Sequence, residues 1–172
     1  VLERVPSALR PGVQSLLFQV LRALGWAEAV RQQLAPRAPA PAVDALLCTA
    51  LALLADEEDP PYAPFTLVNQ AVQAAKQDHA TRAQAPFINA CLRRFLRERG
   101  ALQQAVAGDL RAKWNHPLWW VAQLRKDHPQ HWERILQANN TQAPMVLRVN
   151  KQKSTPAQYQ QALAAINLES MT

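Results

Sequence analysis

Apolar residues recur at helical spacing through the first two thirds of the chain, and the clearest stretch spans residues 81–100. Its apolar positions are Phe87, Ile88, Cys91, Leu92, Phe95 and Leu96. The other side carries Arg93, Arg94, Arg97 and Arg99. This pattern predicts an amphipathic helix that begins at Thr81 and ends at Gly100. One side of it would pack into a core, and the other would present guanidinium groups.

Five further segments show the same periodicity. They are residues 13–24, 26–34, 43–55, 65–77 and 101–107. Gly25 is expected to separate the first two helices, and prolines between residues 36 and 42 form a stiff connector. The acidic, proline-containing segment 56–61 predicts an exposed loop. Several helices with short connections and no period-two pattern indicate an all-α bundle.

The composition changes near Asp109, because four of the five tryptophans lie between residues 114 and 132. We predict a helix that starts at residues 115–117 and ends near Asp127, then a short helix from Pro129 to residues 139–140. Residues 145–150 favour a strand, and Ser154 to Pro156 should cap a last helix. The predicted division is a helical domain over residues 1–108 and an incomplete helical and strand segment over residues 109–172.

The formal net charge of +6 favours a polyanionic partner, such as nucleic acid. A membrane-spanning role is not expected, because the longest apolar run covers only residues 45–55. The candidate RNA-binding cations are Lys76, Arg93, Arg94, Arg97, Arg99, Arg111, Lys113, Arg125, Lys126, Arg148, Lys151 and Lys153. Trp119 would stack on an unpaired base if it is exposed, or pack against a neighbouring helix if it is not.

Residues for catalysis or cofactor binding are not recognisable. The four glycines are too far apart for a dinucleotide or phosphate loop. Cys48 and Cys91 lie in apolar helical patterns, so neither is expected to be a nucleophile, and such cysteine usage fits a reducing cytoplasm. Histidines 116, 128 and 131 lack supporting ligands, so we expect no metal site. The chain shows no signal peptide and lacks an initiator Met, so it is expected to be a fragment.

Three ordered motifs resemble one family. Pro86-Phe87-Ile88-Asn89-Ala90-Cys91-Leu92-Arg93-Arg94-Phe95 resembles the central helix of NusB-type RNA-binding domains. His116-Pro117-Leu118-Trp119 resembles an H-P-x-W motif. Asn139-Asn140 with Pro144-Met145-Val146-Leu147-Arg148-Val149-Asn150 resembles an N-N…P-x-x-L-R-V-N motif. The motif residues are therefore Asn89, His116, Pro117, Trp119, Arg148 and Asn150, and the set is similar to the N-terminal part of bacterial small-subunit rRNA cytosine-5 methyltransferases of the Sun/Fmu (RsmB) family.

The resemblance implies a NusB-like bundle that binds small-subunit rRNA for a catalytic domain. It implies S-adenosylmethionine as the cofactor of the parent protein, whereas the glycine-rich loop and catalytic cysteine of the family are absent here. This chain is therefore expected to bind no cofactor and to catalyse no reaction itself. The alternative is a stand-alone NusB-type antitermination or ribosome-assembly factor, which would bind RNA and a ribosomal protein.

Overall fold

The computed structural model describes residues 2–58 and 60–171, which form two compact units, Val1–Thr141 and Gln142–Thr172. The helices of the first unit are α1 (Arg10–Leu34), α2 (Pro41–Leu53), α3 (Pro64–Gln77), α4 (Ala85–Val106), α5 (Leu110–Trp114), α6 (Leu118–Asp127) and α7 (Trp132–Asn140). The second unit contains α8 (Pro156–Ala164). Short 3-10 turns lie at Leu2–Arg4, Ser7–Leu9 and Arg82–Gln84. The described residues form helices and no strand, which confirms the all-α prediction and is consistent with a NusB-like bundle.

The main core is built around α2, which is apolar on nearly every side. Leu47, Leu51 and Leu54 have essentially no solvent-accessible surface. The long helix α1 packs on α2, α4 and α5, and α3 lies against α2 and α4. Each fully buried leucine contributes roughly 1.5–3 kcal/mol relative to an exposed one. The bundle therefore derives most of its stability from the side of each helix that faces α2 and its neighbours.

A second, smaller core lies where α5, α6 and α7 meet. Trp114, Val121, Leu124 and Leu136 are buried there. Trp120, Trp132 and Ile135 pack around them and are partly exposed. Leu118, at the start of α6, is 53% exposed and lies outside this core. The tryptophan-rich segment thus forms its own packed corner within the first unit.

The predicted break at Gly25 is wrong, because Gly25 lies inside α1, which is 25 residues long in total. A Cβ atom on Gly25 would lie 2.5 Å from the Arg111 carbonyl oxygen of α5. The absence of a side chain therefore lets α5 approach α1 closely. Gly25 is a packing position within a helix and not a helix end.

The ends of the organising helix also differ from the prediction. The helix α4 starts at Ala85 and passes through Gly100, with non-helical dihedral angles at Glu98 (φ −110°, ψ 18°). The Thr81 hydroxyl is buried and donates to the Ala75 carbonyl oxygen at 2.9 Å instead of capping α4. Thr81 therefore ties the loop after α3 back to that helix.

The predicted strand at residues 145–150 does not form. These residues have no regular secondary structure, because the described part of the chain offers no other strand to pair with them and a lone strand cannot satisfy its backbone groups. The predicted cap of the last helix is confirmed, since Thr155 and Gln158 form a reciprocal capping box at the start of α8. The predicted domain boundary at residues 108 and 109 falls inside the first compact unit, and that division stays a prediction.

Candidate nucleic-acid interface

The exposed side of α4 carries three of the predicted arginines. Ile88, Leu92 and Phe95 are buried on the other side, which fixes the orientation of the helix. Arg93 and Arg97 follow each other by one turn, and both are exposed. We call Arg93, Arg94 and Arg97 the α4 arginine face.

The arginines of this face are only lightly held. Arg93 Nε donates to the Asn89 side-chain oxygen at 3.0 Å, one turn earlier. Arg94 pairs with Glu98 at 2.9 Å, and both side chains are nearly half exposed. Such a surface ion pair is worth about 0.2–1 kcal/mol, so a phosphate can replace it at little cost. Arg97 has no ion-pair partner within the described residues.

Arg99 does not lie on this face, contrary to the prediction. Its guanidinium donates to the carbonyl oxygens of Leu54 and Ala55 at 2.7 and 3.1 Å, and its Nε lies 3.3 Å from Glu57. It also lies 5.4 Å from the ring centroid of Phe95. With its side chain only 12% exposed, Arg99 binds the carbonyls of the two residues that follow α2. The sequence contained the signal, because Arg99 follows the buried Phe95 by one helical turn.

Two further candidate cations are stacked on tryptophan rings. Lys113 Nζ lies 4.7 Å from the ring centroid of Trp114, and Arg125 Cζ lies 4.5 Å from that of Trp132. The two rings meet edge to face at 5.0 Å. Cation–π contacts of this kind hold a cation in place while leaving it exposed. Lys113 and Arg125 are therefore fixed at the corner formed by α5, α6 and α7.

The remaining candidate cations differ in whether an acidic side chain forms an ion pair with them. Arg111 is paired with Glu28 at 2.7 Å. Lys76 and Lys126 are exposed and form no ion pair with a described residue. In the second unit, Arg148, Lys151 and Lys153 are exposed, as is the motif residue Asn150. Asn150 Oδ1 accepts a hydrogen bond from the Gln152 backbone N–H at 3.0 Å, which closes the basic turn.

The motif around His116 forms a hydrogen-bond network that sequence reasoning missed. Asn115 was predicted to start α6, but it ends α5 in a left-handed conformation (φ 55°), and Pro117 precedes the first residue of α6. Asn115 Oδ1 accepts from the Gly25 N–H at 2.7 Å, and Asn115 Nδ2 donates to the Leu21 carbonyl at 2.7 Å. Its amide thus bridges two groups that pair with each other in a regular helix.

The second asparagine motif completes this network. Asn115 Nδ2 also donates to Asn140 Oδ1 at 3.1 Å, and Asn140 Nδ2 donates to the Trp114 carbonyl at 2.9 Å. The His116 Nδ1 atom contacts the same carbonyl, and its Nε2 lies 3.5 Å from Asn139 Nδ2. The His116 and Asn139–Asn140 motifs, read as separate signals in the sequence, therefore meet beside α1. The hydrogen bonds of Asn115 and Asn140 join α5 and α7 to α1 of the bundle.

Trp119 is exposed, at 69% of its accessible surface. This is the arrangement in which a tryptophan can stack on a base, and it differs from the alternative of packing against a neighbouring helix. One contact restrains the ring, an edge-to-face approach to Trp120 at 5.6 Å. Leu118 beside it is also exposed.

The described residues do not form a site that fits S-adenosylmethionine or a catalytic thiol. Gly12 and Gly25 lie inside α1, Gly100 lies inside α4 and Gly108 lies in a turn, so the glycines form no glycine-rich loop. Burial, with Asp44 nearby, raises the pKa of the Cys48 thiol from 9.0 to about 11, and burial also raises the pKa of Cys91. Both thiols therefore stay protonated and unreactive near neutral pH.

Among the described residues no three metal-ligating side chains come together. None of the described helices combines the length and apolarity needed to span a bilayer.

In the comparison with known proteins, a family model matches the C-terminal third of the chain. Residues 116–172 match the family model of the RsmF/B-like methyltransferase ferredoxin-like domain. A ferredoxin-like unit alternates strands and helices, and in this chain the strand-like sequence of residues 145–150 precedes α8. The match begins at His116, in the motif that joins α5 to α6.

Individual relatives are named as small-subunit ribosomal RNA methyltransferases. The chain is 33% identical over 164 residues to the ribosomal RNA small subunit methyltransferase B of Pasteurella multocida, covering 92% of this chain and 35% of that protein. It is 39% identical over 103 residues to the probable enzyme of the same name from Coxiella burnetii, covering 60% and 24% of the two chains. The protein of that name from Yersinia enterocolitica is 30% identical over 162 residues, or 92% of this chain and 37% of the relative.

These matches confirm that the chain is similar to the N-terminal part of the Sun/Fmu (RsmB) family of small-subunit rRNA methyltransferases. The chain spans between 24% and 37% of the length of these three relatives.

Proposed function

We propose that this chain is the RNA-binding part of a small-subunit rRNA methyltransferase, and that it positions the rRNA for a catalytic domain outside these residues. The observation that carries this proposal is the α4 arginine face. A helix buried on one side exposes Arg93, Arg94 and Arg97 on the other, each held weakly or not at all. The similarity to rRNA methyltransferases supports RNA as the polyanion.

The charge of the chain is consistent with this role. Three guanidinium groups on one helix side can each donate two hydrogen bonds to a phosphate, a geometry that lysine cannot provide. Lys113 and Arg125, held on their tryptophan rings, would add cations at a second location of the same unit. Lys76, Arg111 and Lys126 also belong to the proposed RNA-binding set, and Arg148, Lys151 and Lys153 extend it to the second unit.

The reaction itself is proposed for the parent protein and not for these residues. The resemblance implies transfer of a methyl group from S-adenosylmethionine to C5 of cytosine, and this chain supplies neither the cofactor site nor the nucleophile. Its contribution to catalysis is to bind and orient the RNA. A stand-alone NusB-type factor would not need residues 116–172, so the match of that segment favours the methyltransferase interpretation. A ribosomal protein partner stays a prediction.

The test is binding of a fluorescently labelled small-subunit rRNA hairpin to the chain, measured by anisotropy at several salt concentrations. The triple variant R93E/R94E/R97E should weaken binding at least about tenfold and should reduce the slope of log K against log salt by about two to three. Circular dichroism should show an unchanged helical content, because all three side chains are exposed.

The matched control is a second triple variant, R4E/R37E/R134E, which makes the same change in net charge at exposed positions outside the proposed set. It should weaken binding by at most about threefold, because it changes only the overall electrostatic attraction between the chain and the RNA. An equal loss of affinity in both triple variants would show that the α4 arginine face is not the interface. No measurable binding by the unmodified chain would contradict the proposed function altogether.

A further inference from the structure

The solvent side of α6 carries an aromatic residue and a cation in line. Trp119, Ala122, Gln123 and Lys126 follow one another at helical spacing, and all four are exposed. We call them the α6 outer face. Val121 and Leu124, on the other side of the helix, are buried in the second core and fix its orientation. The face is therefore rigidly mounted and open to solvent.

Trp119 is held in place without being buried. Its ring meets Trp120 at 5.6 Å with an interplanar angle of 69°, and Trp120 packs against the second core. The Trp119 side chain nevertheless stays 69% exposed. An aromatic ring that is restrained before binding loses little conformational freedom when a base stacks on it. Base stacking tolerates any nucleobase, because every base has a π face.

Lys126 lies two helical turns beyond Trp119, about 10 Å along the axis at 1.5 Å per residue. It makes no ion pair with a described residue, and Arg125 beside it is held on Trp132 at 4.5 Å. Asp127 is the only acid of α6, and its carboxylate accepts a hydrogen bond from Gln123 Nε2 at 2.7 Å. The cation of the α6 outer face is therefore a free ammonium group two turns from the aromatic ring, and it suits a phosphate.

We propose that the α6 outer face binds an unpaired nucleotide of the RNA, with the base stacked on Trp119 and a neighbouring phosphate against Lys126. This inference rests on the proposed function, since it names the feature of the RNA that the chain selects. Phosphates alone would bind any duplex, whereas a stacking ring requires a base that is not already stacked between its neighbours. The α6 outer face thus favours hairpin loops and bulges over continuous helices.

The test compares two labelled RNAs of equal length and charge, one with an unpaired adenosine bulge and one fully paired. The variant W119A should weaken binding of the bulged RNA about tenfold and that of the paired RNA by less than about twofold. W119F should retain most of the affinity. K126Q should reduce the salt slope by about one for the bulged RNA. The matched control is F65A, which removes an aromatic side chain that is 77% exposed on α3.

Tryptophan emission gives an independent reading. The bulged RNA should quench the emission of the unmodified chain more than that of W119F, because a stacked base quenches the ring it covers. If the chain binds RNA and loses affinity in R93E/R94E/R97E, but W119A behaves as F65A does, the proposal for α6 is wrong and the proposed function stands. An equal loss for bulged and paired RNA in W119A would also overturn it. If the unmodified chain binds neither RNA, both proposals fail together.

Discussion

The Asn115 side chain provides the sharpest stability test of this structure. Its amide joins α1 to α5 and α7 through the Gly25 N–H, the Leu21 carbonyl and Asn140 Oδ1. Its backbone is left-handed at φ 55° and ψ 33°. Replacing Asn115 by Gly removes the three hydrogen bonds but keeps an allowed backbone, whereas replacing it by Ala removes the bonds and adds backbone strain.

The loss of free energy of unfolding depends on whether the hydrogen-bond partners of the Asn115 amide can bond to other groups. A hydrogen bond contributes about 0.5–1.5 kcal/mol net, so three would give up to about 4 kcal/mol. The Leu21 carbonyl and the Gly25 N–H are one helical turn apart, however, and can bond to each other once the amide is gone. Only the bond to Asn140 is then lost outright, together with the docking of α5 on α1. We expect Asn115→Gly to reduce the free energy of unfolding by about 1–2 kcal/mol, and Asn115→Ala by about 1–2 kcal/mol more.

Urea unfolding followed by circular dichroism measures these differences. Asn167 is the matched control, because it is also left-handed, at φ 58°, and its side chain makes no hydrogen bond to a described residue. Asn167→Gly should therefore change the free energy of unfolding by less than about 0.5 kcal/mol. If Asn115→Gly is as stable as Asn167→Gly, the amide does not hold α5 against α1, and the reasoning fails.

Two further predictions concern α1 and its neighbour α2. Gly25→Ala would place a Cβ atom 2.5 Å from the Arg111 carbonyl oxygen, and it should destabilise the chain by about 1–3 kcal/mol in thermal unfolding. The control is Gly12→Ala, where a Cβ atom would have nothing within 4 Å, and it should be neutral or stabilise the chain by up to about 1 kcal/mol. Equal stability of the two variants would contradict the close approach of α5 to α1. The raised pKa of Cys48 means that the folded state keeps its thiol proton to about pH 11, so stability should fall between pH 9 and pH 11. Cys48→Ala should remove part of that fall, and an unchanged pH profile would contradict a buried neutral thiol.

Hydrophobic periodicity predicted the helices of the bundle and the exposed side of α4, because burial is the main force that places these residues. It placed Arg93, Arg94 and Arg97 on the exposed side, where the structure has them. It did not predict the helix ends that depend on contacts with distant parts of the chain. Gly25 has low helix propensity, yet it lies inside α1, where the close approach of Arg111 requires a residue without a side chain.

Other features could not be predicted from local patterns. The role of Asn115 depends on residues about ninety positions away in the sequence, which a local pattern cannot reveal. Residues 145–150 have the composition of a strand, but strand formation requires a pairing partner as well as the composition. The position of Arg99 depends on the carbonyls of Leu54 and Ala55 just after α2, a partner that the local sequence does not show.

The bridge between Gly25, Asn115 and Asn140 also limits how this chain can be recombined with its relatives. A chimera whose junction falls between α1 and α5 takes Gly25 from one parent and Asn115 and Asn140 from the other. It keeps these hydrogen bonds only where both parents carry the same residues at the three positions. Exchanges that take the segment from α1 to α7 from a single parent keep the bridge whole, and so do junctions after Thr141.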